Sequence, residues 1–448
     1  MSGSVRRFVP SPTRRAALFS VLGAAVISVL PPLGFAALTA LVALSLYDFV
    51  AARRRGCPEF TCDVPRRLAQ GQQARALLRT EKSTEDAQLS LALSLAPELA
   101  TDTALAITPL QLRAGQRSEV NLPLEAHRRG RYRVEALDVF ATGALGLTRA
   151  EFRVPLDREI LVLPGLLESA RESARAERTQ RRAGLRRSRQ RGDGGSFESL
   201  AEYVRGDDPR RVDWKASARH RRPIVRRYET ERSQNLMLCL DTGRAMAERT
   251  LAARENEPSG VAARNRLDHA CEAASVLSRV ARSFSDPTGL IAFSDSVHAE
   301  RLPHATGWQS IPELLAELRA RPVEPDYPTC LGRLDRLLAR RSLVVVFSDL
   351  LDPVASEPIA RALRPLTKRH LVVLVALRNP ELEALASGPA ETPGDALARA
   401  SAAELLGERE RALASLRERG VTVLDVAPGR AVESAVARYL EIKSSGAL

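Results

Sequence analysis

The chain has 448 residues, enough for two or three domains with their own hydrophobic cores. It carries 67 Lys and Arg residues against 54 Asp and Glu, and the net charge of +13 favours an anionic partner: a lipid surface, nucleic acid or an acidic protein face. Aromatic residues make up 4% of the chain and no zinc-finger or RNA-binding motif is present, so no nucleic-acid partner is expected. The five scattered cysteines are typical of a reducing compartment rather than of a disulfide framework.

The N-terminal region predicts a membrane anchor. A basic cytoplasmic arm over residues 1–15 precedes a run from Ala16 to Tyr47 without any charged residue. Two prolines divide this run, so residues 16–50 are predicted to form a transmembrane hairpin of two helices, each short for the roughly 20 residues that a span needs. Arginines at both ends predict, by the positive-inside rule, that everything after the hairpin is cytoplasmic. A buried helical hairpin of a soluble domain is the alternative.

Two regions of different composition follow the anchor. Residues 58–165 contain short alternating apolar runs separated by turn residues, which predicts a small antiparallel β-sandwich. Residues 166–193 are rich in arginine and poor in large apolar residues. This stretch is interpreted as a solvated linker, with an electrostatic contact to membrane lipid or to a partner as the alternative.

Residues 194–232, the signature segment, hold an unusual set of residues. Ser196 to Tyr203 is predicted to form a short helix, and a second helix is predicted to start at Asp208 and Pro209 and to end at Pro223. Ile224 and the residues after it are predicted to form a strand. Tyr203, Val212 and Trp214 are expected to pack onto the next strand, whereas the many arginines are expected to be solvated or bound to an acidic partner. The candidate partner-binding residues are Tyr203, Arg205, Gly206, Asp207, Asp208, Arg210, Asp213, Trp214, Lys215 and Arg219.

The order of these residues resembles the signature of the bacterial DUF-58 family, a domain of unknown function. Tyrosine, glycine, two aspartates and an arginine pair are followed by Asp213-Trp214-Lys215 and Ser217-Ala218-Arg219. Ala201 departs from the pattern, because many members have an arginine there. Arg129 to Tyr132 and Gly143 to Leu147 resemble steps that precede the signature in this family.

Residues 233–448 predict a doubly wound α/β domain. Apolar runs without alternation, such as Leu236 to Leu240 and Leu343 to Phe347, are spaced by amphipathic helices. Strands of this kind form a parallel sheet that is covered on both faces. Ligands of such sheets bind beyond the carboxyl ends of the strands, where Asp241 and Asp349 stand.

The arrangement of these two acids resembles a von Willebrand factor A-like domain with a metal-ion-dependent adhesion site. The resemblance implies Asp241, Thr329 and Asp349 as metal ligands. The site is degenerate, because Gly243 and Ala245 stand where the family has two serine ligands. No cofactor is expected, and weak Mg²⁺ binding through waters is an alternative to acids that cap helix N-termini.

The motif content argues against an enzyme. The chain has no Gly-x-x-x-x-Gly-Lys loop, no Gly-x-Ser-x-Gly elbow and no His-Glu-x-x-His motif. A metal-dependent hydrolase or phosphotransferase that uses Asp241 and Asp349 is the alternative. The resemblance implies a non-enzymatic interaction protein of the bacterial inner (cytoplasmic) membrane, multi-pass, with a MoxR-type AAA+ ATPase as partner and a role in protein assembly, maturation or cell-envelope physiology.

Overall fold

The computed structural model describes residues 10–55, 57–80, 86–95, 99, 108–165, 196–204, 212–229, 234–250, 264–350 and 353–445. The predicted arginine-rich linker, 166–193, lies outside the described residues. The chain divides into two compact units. Unit 1 comprises Met1–Leu167, Ala253–Arg264 and Pro312–Leu318, and unit 2 comprises Glu168–Ala252, Asn265–Ile311 and Arg319–Leu448.

Unit 1 begins with a short strand and two apolar helices, β1 (Pro10–Pro12), α1 (Arg14–Val29) and α2 (Pro31–Arg55). Among the described helices, α2 is the one long and apolar enough to cross a membrane, with 24 residues over Pro31–Arg54 and a mean hydropathy of 1.9. Only 11% of its most apolar stretch is buried. With 16 residues, α1 is shorter than the roughly 20 that a span needs. One candidate membrane helix therefore stands where two were predicted.

Two largely antiparallel sheets form the rest of unit 1. One has the order β1-β9-β8-β5-β6 with β3 paired in parallel to β9, and the other has the order β2-β4-β7. Inward-facing residues of both sheets share one hydrophobic core, which agrees with the predicted sandwich. The strands are β2 (Phe60–Asp63), β3 (Arg67–Ala69), β4 (Gln73–Thr80), β5 (Ala87–Ser94), β6 (Thr108–Leu112), β7 (Ser118–Glu125), β8 (Gly130–Thr142) and β9 (Thr148–Leu163).

A buried carboxylate joins α2 to the loop between β8 and β9. Asp48, which is fully buried, accepts hydrogen bonds from the backbone amides of Leu145 (2.7 Å), Leu147 (2.9 Å) and Thr148 (3.0 Å). A Cβ atom at Gly143 would lie 2.2 Å from the Asp48 carboxyl group, so only glycine fits there. The Gly143 to Leu147 step, which resembles a step of the DUF-58 family, therefore has a structural role, because this loop takes the place of water around a buried carboxyl group.

The residue before α1 binds the same loop. The Thr13 hydroxyl donates to the carbonyl oxygens of Gly146 (2.7 Å) and Leu147 (3.1 Å). The backbone amide of Thr13 also donates to Leu147, and β1 pairs with the start of β9. The first turn of α1 and the last turns of α2 therefore lie at the same end of the helix pair.

We predict that Asp48→Ala lowers the stability of the full-length protein in detergent by about 2–4 kcal/mol, because three partly or fully buried amides lose their acceptor. Asp86→Ala is the matched control, since Asp86 accepts one exposed amide bond, from Ala114 (2.7 Å). Thermal unfolding followed by circular dichroism measures both. Equal melting temperatures for the two variants would show that Asp48 does not hold the loop.

Unit 2 opens with the signature segment, which forms β10 (Ser196–Glu202), α3 (Trp214–His220) and β11 (Ile224–Glu229). The α/β part then adds β12 (Asn235–Asp241), β13 (Arg249–Thr250), β14 (Arg264–Asn265), α4 (Arg266–Ser283), β15 (Thr288–Phe293), β16 (Val297–His304) and α5 (Gly307–Glu317). Arg264 and the residues of α5 from Pro312 on are assigned to unit 1. The remaining elements are α6 (Tyr327–Leu337), β17 (Ser342–Ser348), α7 (Pro353–Arg369), β18 (Leu371–Leu377), α8 (Pro380–Ser387), α9 (Pro393–Glu418), β19 (Thr422–Val426) and α10 (Ala431–Ser445).

The main sheet of unit 2 has the order β16-β15-β12-β17-β18-β19. All its neighbouring strands are parallel except the edge strand β16, which pairs with β15 antiparallel. When these six strands are numbered in chain order, their order across the sheet is 3-2-1-4-5-6, so the winding direction reverses between β12 and β17. Such a reversal leaves a crevice at the carboxyl ends of the two central strands.

Helices cover both faces of this sheet. Alternate strand residues such as Met237, Cys239 and Val346 share a core with α6, α7 and α9. The residues between them point to the opposite face and are equally buried, and there α4 contacts β12 and packs against α10. The apolar runs Leu236 to Leu240 and Leu343 to Phe347 lie within the parallel strands β12 and β17, as predicted.

Candidate functional site

The carboxyl ends of the two central strands bring Asp241 and Asp349 into one region. Asp241 is the last residue of β12, and Asp349 follows the last residue of β17. In the register of these strands, Leu240 pairs with Phe347, so that Asp241 stands beside Ser348. Asp241 and Asp349 are 1% and 3% exposed, so each carboxyl group depends on protein donors rather than on water.

Protein donors surround the Asp241 carboxyl group. Its Oδ1 accepts from the backbone amide of Gly243 (2.7 Å). Its Oδ2 accepts from the Tyr327 hydroxyl (2.7 Å) and from the Ser348 hydroxyl (2.8 Å), and these two hydroxyl oxygens lie 2.9 Å apart. Burial raises the pKa of Asp241, and the three hydrogen bonds oppose that rise. Burial beside this carboxyl group also raises the pKa of Tyr327 well above its usual value, which keeps the phenol protonated as a donor.

The loop after β12 has no space for the serine that the resemblance implies at position 243. A Cβ atom on Gly243 would lie 2.7 Å and 2.9 Å from two ring carbons of Pro325 and 3.0 Å from Oδ1 of Asp241. Pro325 therefore occupies the volume that a side chain at this position would need. The glycine does more than remove a hydroxyl, because it lets the chain turn tightly against Asp241.

Thr329, the threonine that the resemblance implies as a metal ligand, contributes to the start of a helix. It is exposed in the first turn of α6, where its amide donates to the Asp326 side chain (3.1 Å), the N-cap of that helix. The hydroxyl that this helix supplies to Asp241 comes instead from Tyr327. Tyr327 was not among the predicted site residues, and its only signal in the sequence is its place at a helix start close to Thr329.

Asp349 is paired with a buried guanidinium. Arg266, the first residue of α4, is 1% exposed and forms an ion pair with Oδ2 of Asp349. Its other contacts go to the carbonyl oxygen of Ala245 (3.1 Å) and to the Glu248 carboxylate (2.8 Å). Ala245, at the second missing serine, thus contributes its backbone rather than its side chain. Burial raises the pKa of Asp349 to about 7, although Arg266 and Arg409 act to lower it.

Taken together, these contacts do not fit a magnesium site. Magnesium prefers near-octahedral oxygen ligation and retains several waters. Here both oxygens of Asp241 already accept hydrogen bonds, position 243 cannot hold a serine, and Asp349 has a guanidinium as its cation. No group of three or more His, Cys, Asp or Glu side chains suited to a metal occurs among the residues that the structure describes.

The signature segment folds differently from its prediction. Residues 196–202 form the strand β10, which pairs antiparallel with β11, so the predicted helix there is wrong. The predicted start of the second helix, at Asp208 and Pro209, lies outside the described residues. A helix over Trp214–His220 is described, and Asp213 caps it by accepting from the amides of Lys215 and Ala216, both at 3.0 Å. Ser217 then links the helix to β11, since its hydroxyl accepts from the Ile224 amide (2.8 Å). The predicted strand after Pro223 is confirmed.

The short helix α3 presents a tryptophan to solvent. Trp214 is 75% exposed, which contradicts the expectation that it packs onto a neighbouring strand. Lys215 and Arg219 are exposed on the same helix, and Tyr203 is half-buried beside β10. Val212 bridges to Val225. Five candidate partner-binding residues lie outside the described residues, namely Arg205, Gly206, Asp207, Asp208 and Arg210.

Comparison with known families gives one match to this region. Residues 199–396 match the model of the family described as "Protein of unknown function DUF58". The DUF-58 resemblance is confirmed for this stretch. The match covers α3 and the strands from β12 to β18, so residues 199–232 of the signature segment and the strand-end site fall within it.

Similar proteins have no described function. Uncharacterized proteins of Mycobacterium tuberculosis and Mycobacterium bovis are 26% identical over 183 residues, which is 40% of this chain and 53% of each relative. The chain spans about half the length of these curated relatives. Among solved structures, the C-terminal domain of wzt aligns with a TM-score of 0.17 and 14% identity, over 24% of this chain and 71% of that chain.

We predict that Asp349 makes stability depend on pH. A folded-state pKa of about 7, raised from the usual carboxyl value of 3.8, means that the stabilising contribution is present at low pH and is lost as the pH rises towards 7. The stability advantage of the wild type over Asp349→Asn should therefore shrink from pH 5 to pH 8. Chemical unfolding of both proteins at several pH values measures it. An advantage that stays constant from pH 5 to pH 8 would mean that Arg266 keeps Asp349 ionised throughout, and it would contradict the prediction.

Proposed function

We propose that this chain is a membrane-anchored, non-enzymatic interaction protein that works with a MoxR-type AAA+ ATPase. Its role is in the assembly or maturation of other proteins or in cell-envelope physiology. The observation that carries the proposal is Trp214, 75% exposed on a helix that also exposes Lys215 and Arg219. Exposed tryptophan and arginine are the residue types that dominate binding energy at protein interfaces.

A von Willebrand factor A-like fold is part of the proposal. The 3-2-1-4-5-6 strand order and its antiparallel edge strand support it, as does the position of Asp241 at the end of the first strand. The domain presents its strand-end loops and the α3 surface to the ATPase. Other doubly wound folds have the same strand order, so the order supports the general architecture of the domain and does not by itself single out this family.

The anchor is proposed to be a multi-pass hairpin in the bacterial inner membrane with both ends in the cytoplasm. Thr13 before α1 and Asp48 near the end of α2 bind the same loop, which supports a hairpin whose two ends lie on one side. Exposed apolar side chains along α1, including Leu18 (62%) and Val21 (69%), support contact with lipid. Arginines 14, 15 and 53–55 flank the pair and favour the cytoplasmic side.

The contacts at the strand ends support a non-enzymatic role over a metal-dependent hydrolase or phosphotransferase. A nucleophilic or metal-binding carboxylate needs free oxygens, whereas Asp241 is saturated by Gly243, Tyr327 and Ser348. Asp349 pairs with Arg266 through Oδ2, and its buried Oδ1 has no hydrogen-bond partner among the described residues; the adjacent guanidinium opposes a metal ion there by charge repulsion. These bonds stabilise the loops around the carboxyl ends of the strands, and stable loops suit a docking surface.

The test is affinity purification of the tagged full-length protein from its native membranes with identification of partners by mass spectrometry. We expect recovery of an AAA+ ATPase with the wild type, and a loss of about thirtyfold or more in affinity with Trp214→Ala/Lys215→Glu, since anchor residues at interfaces cost about 2 kcal/mol or more when truncated. Leu302→Ala/Arg340→Glu is the control, because both residues are exposed elsewhere in unit 2. Recovery without an ATPase, or equal recovery with all three proteins, would refute the proposal.

A further inference from the structure

Unit 2 has a helical hairpin between β18 and β19, formed by α8 and the first half of α9, that packs against little else. No residue of α8 is buried, and Ala402 is the first buried residue of α9, nine residues into a 26-residue helix. Three leucines on this hairpin are exposed, Leu385 (47%), Leu397 (70%) and Leu405 (39%). The helix nevertheless starts sharply, because Thr392 and Asp395 form a capping box.

This hairpin is acidic in a chain of net charge +13. Arg399 is the only cationic residue between positions 380 and 408. The carboxylates of that stretch are Glu381, Glu383, Glu391, Asp395, Glu404 and Glu408. Glu383 pairs with Arg378 (2.7 Å), whereas Glu391, Glu404 and Glu408 have no ion pair within the described part of the chain.

Helical spacing places acidic and apolar groups side by side. Glu404 and Glu408 follow Leu397 by seven and eleven residues, so that all three lie along one face of α9. Leu405 borders that face. We call six residues the acidic hairpin surface, namely Leu385, Glu391, Leu397, Glu404, Leu405 and Glu408.

The α3 region has the opposite character. Trp214, Lys215, Arg219 and Arg221 are all exposed, and we call them the basic α3 surface. Its cations form no ion pair with any described residue, while the adjacent Arg222 pairs with Glu202 (3.0 Å). An exposed aromatic ring with cations around it complements exposed leucines with carboxylates around them, in both charge and polarity.

We propose that the acidic hairpin surface of one copy of this chain binds the basic α3 surface of a second copy. The occupant is a second copy because both complementary surfaces belong to the same chain and neither finds its counterions within the described residues. The contact is heterologous, so it links copies head to tail. Because each surface consists of only a few residues, we expect the contact to be weak in solution. Attachment of both copies to one membrane raises their effective concentration and favours the contact.

This inference goes beyond the proposed function and does not depend on an ATPase. It assigns the basic α3 surface a second occupant, so that a docked copy and a docked ATPase would compete for it. The test below contains no ATPase, and its failure is therefore distinct from a failure of the proposed function.

The experiment uses two differently tagged full-length copies in the same membranes. One copy carries Ala218→Cys, beside the basic α3 surface, and the other carries Ser401→Cys, one helical turn from Leu397; both positions are exposed. Mild oxidation should give a disulfide-linked product that contains both tags. Lys215→Glu/Arg219→Glu in the first copy, or Glu404→Lys/Glu408→Lys in the second, should each lower its yield about tenfold, because ion pairs become like-charge contacts.

Combining the two charge reversals should restore the product, since the pairs reform with their signs exchanged. Arg340→Glu/Arg341→Glu in the first copy is the control for net charge, because these arginines are exposed before β17, and it should leave the yield unchanged. A yield no higher than that of copies without introduced cysteines would overturn the proposal. The proposal would also be overturned if either charge reversal alone left the yield of the disulfide-linked product unchanged, or if the yield stayed low when both reversals were combined.

Discussion

The buried carboxyl group of Asp241 sets the main constraint on unit 2. It lies at the end of the central strand β12 and is 1% exposed, so the surrounding chain has to supply its hydrogen bonds. Burying such a group without donors is costly, and this requirement fixes three segments at once. The turn at Gly243, the start of α6 at Tyr327 and the end of β17 at Ser348 all meet at this one carboxyl group.

A second charge pair extends this arrangement. Arg266 ties the start of α4 to Asp349, to the carbonyl of Ala245 and to Glu248. Removing one partner of a buried ion pair leaves an uncompensated charge, which is why both members depend on each other. The strand-end loops are thus held by the chain's own donors and cations. Loops held in this way are suited to recognition and leave Asp241 without a free oxygen for a metal ion or for chemistry.

The sequence predicted those parts of the fold that depend on local patterns. Buried parallel strands such as β12 and β17 appear as unbroken apolar runs, and their positions were predicted to within one residue at each end. Residues 196–202 were predicted as a helix because Glu, Leu and Ala favour one, yet pairing with β11 makes them a strand. In this segment, pairing with a neighbouring strand outweighs the helix propensity of the individual residues. The short helix α8 lacked the length for a clear periodic signal.

In the candidate site, too, the sequence predicted what depends on local patterns and did not predict what depends on tertiary contacts. Asp241 and Asp349 were predicted because each follows a strand directly, which is a local observation. Tyr327 is 86 residues from Asp241 and Arg266 is 83 residues from Asp349, and no pattern in a single sequence links residues so far apart. Exposure of Trp214 was equally hidden, because an apolar residue is expected inside unless a partner is known. The resemblance to a metal-binding domain therefore predicted the acids and not the donors around them.

The central claim, that protein groups rather than a metal ion satisfy Asp241, is tested most directly by calorimetric titration of Mn²⁺ and Mg²⁺ into the full-length protein. Asp241→Ala serves as the reference for unrelated surface binding. The account predicts that wild type and variant give the same weak heats, with no event at micromolar concentration. A micromolar Mn²⁺ site that is present in the wild type and lost in Asp241→Ala would contradict it.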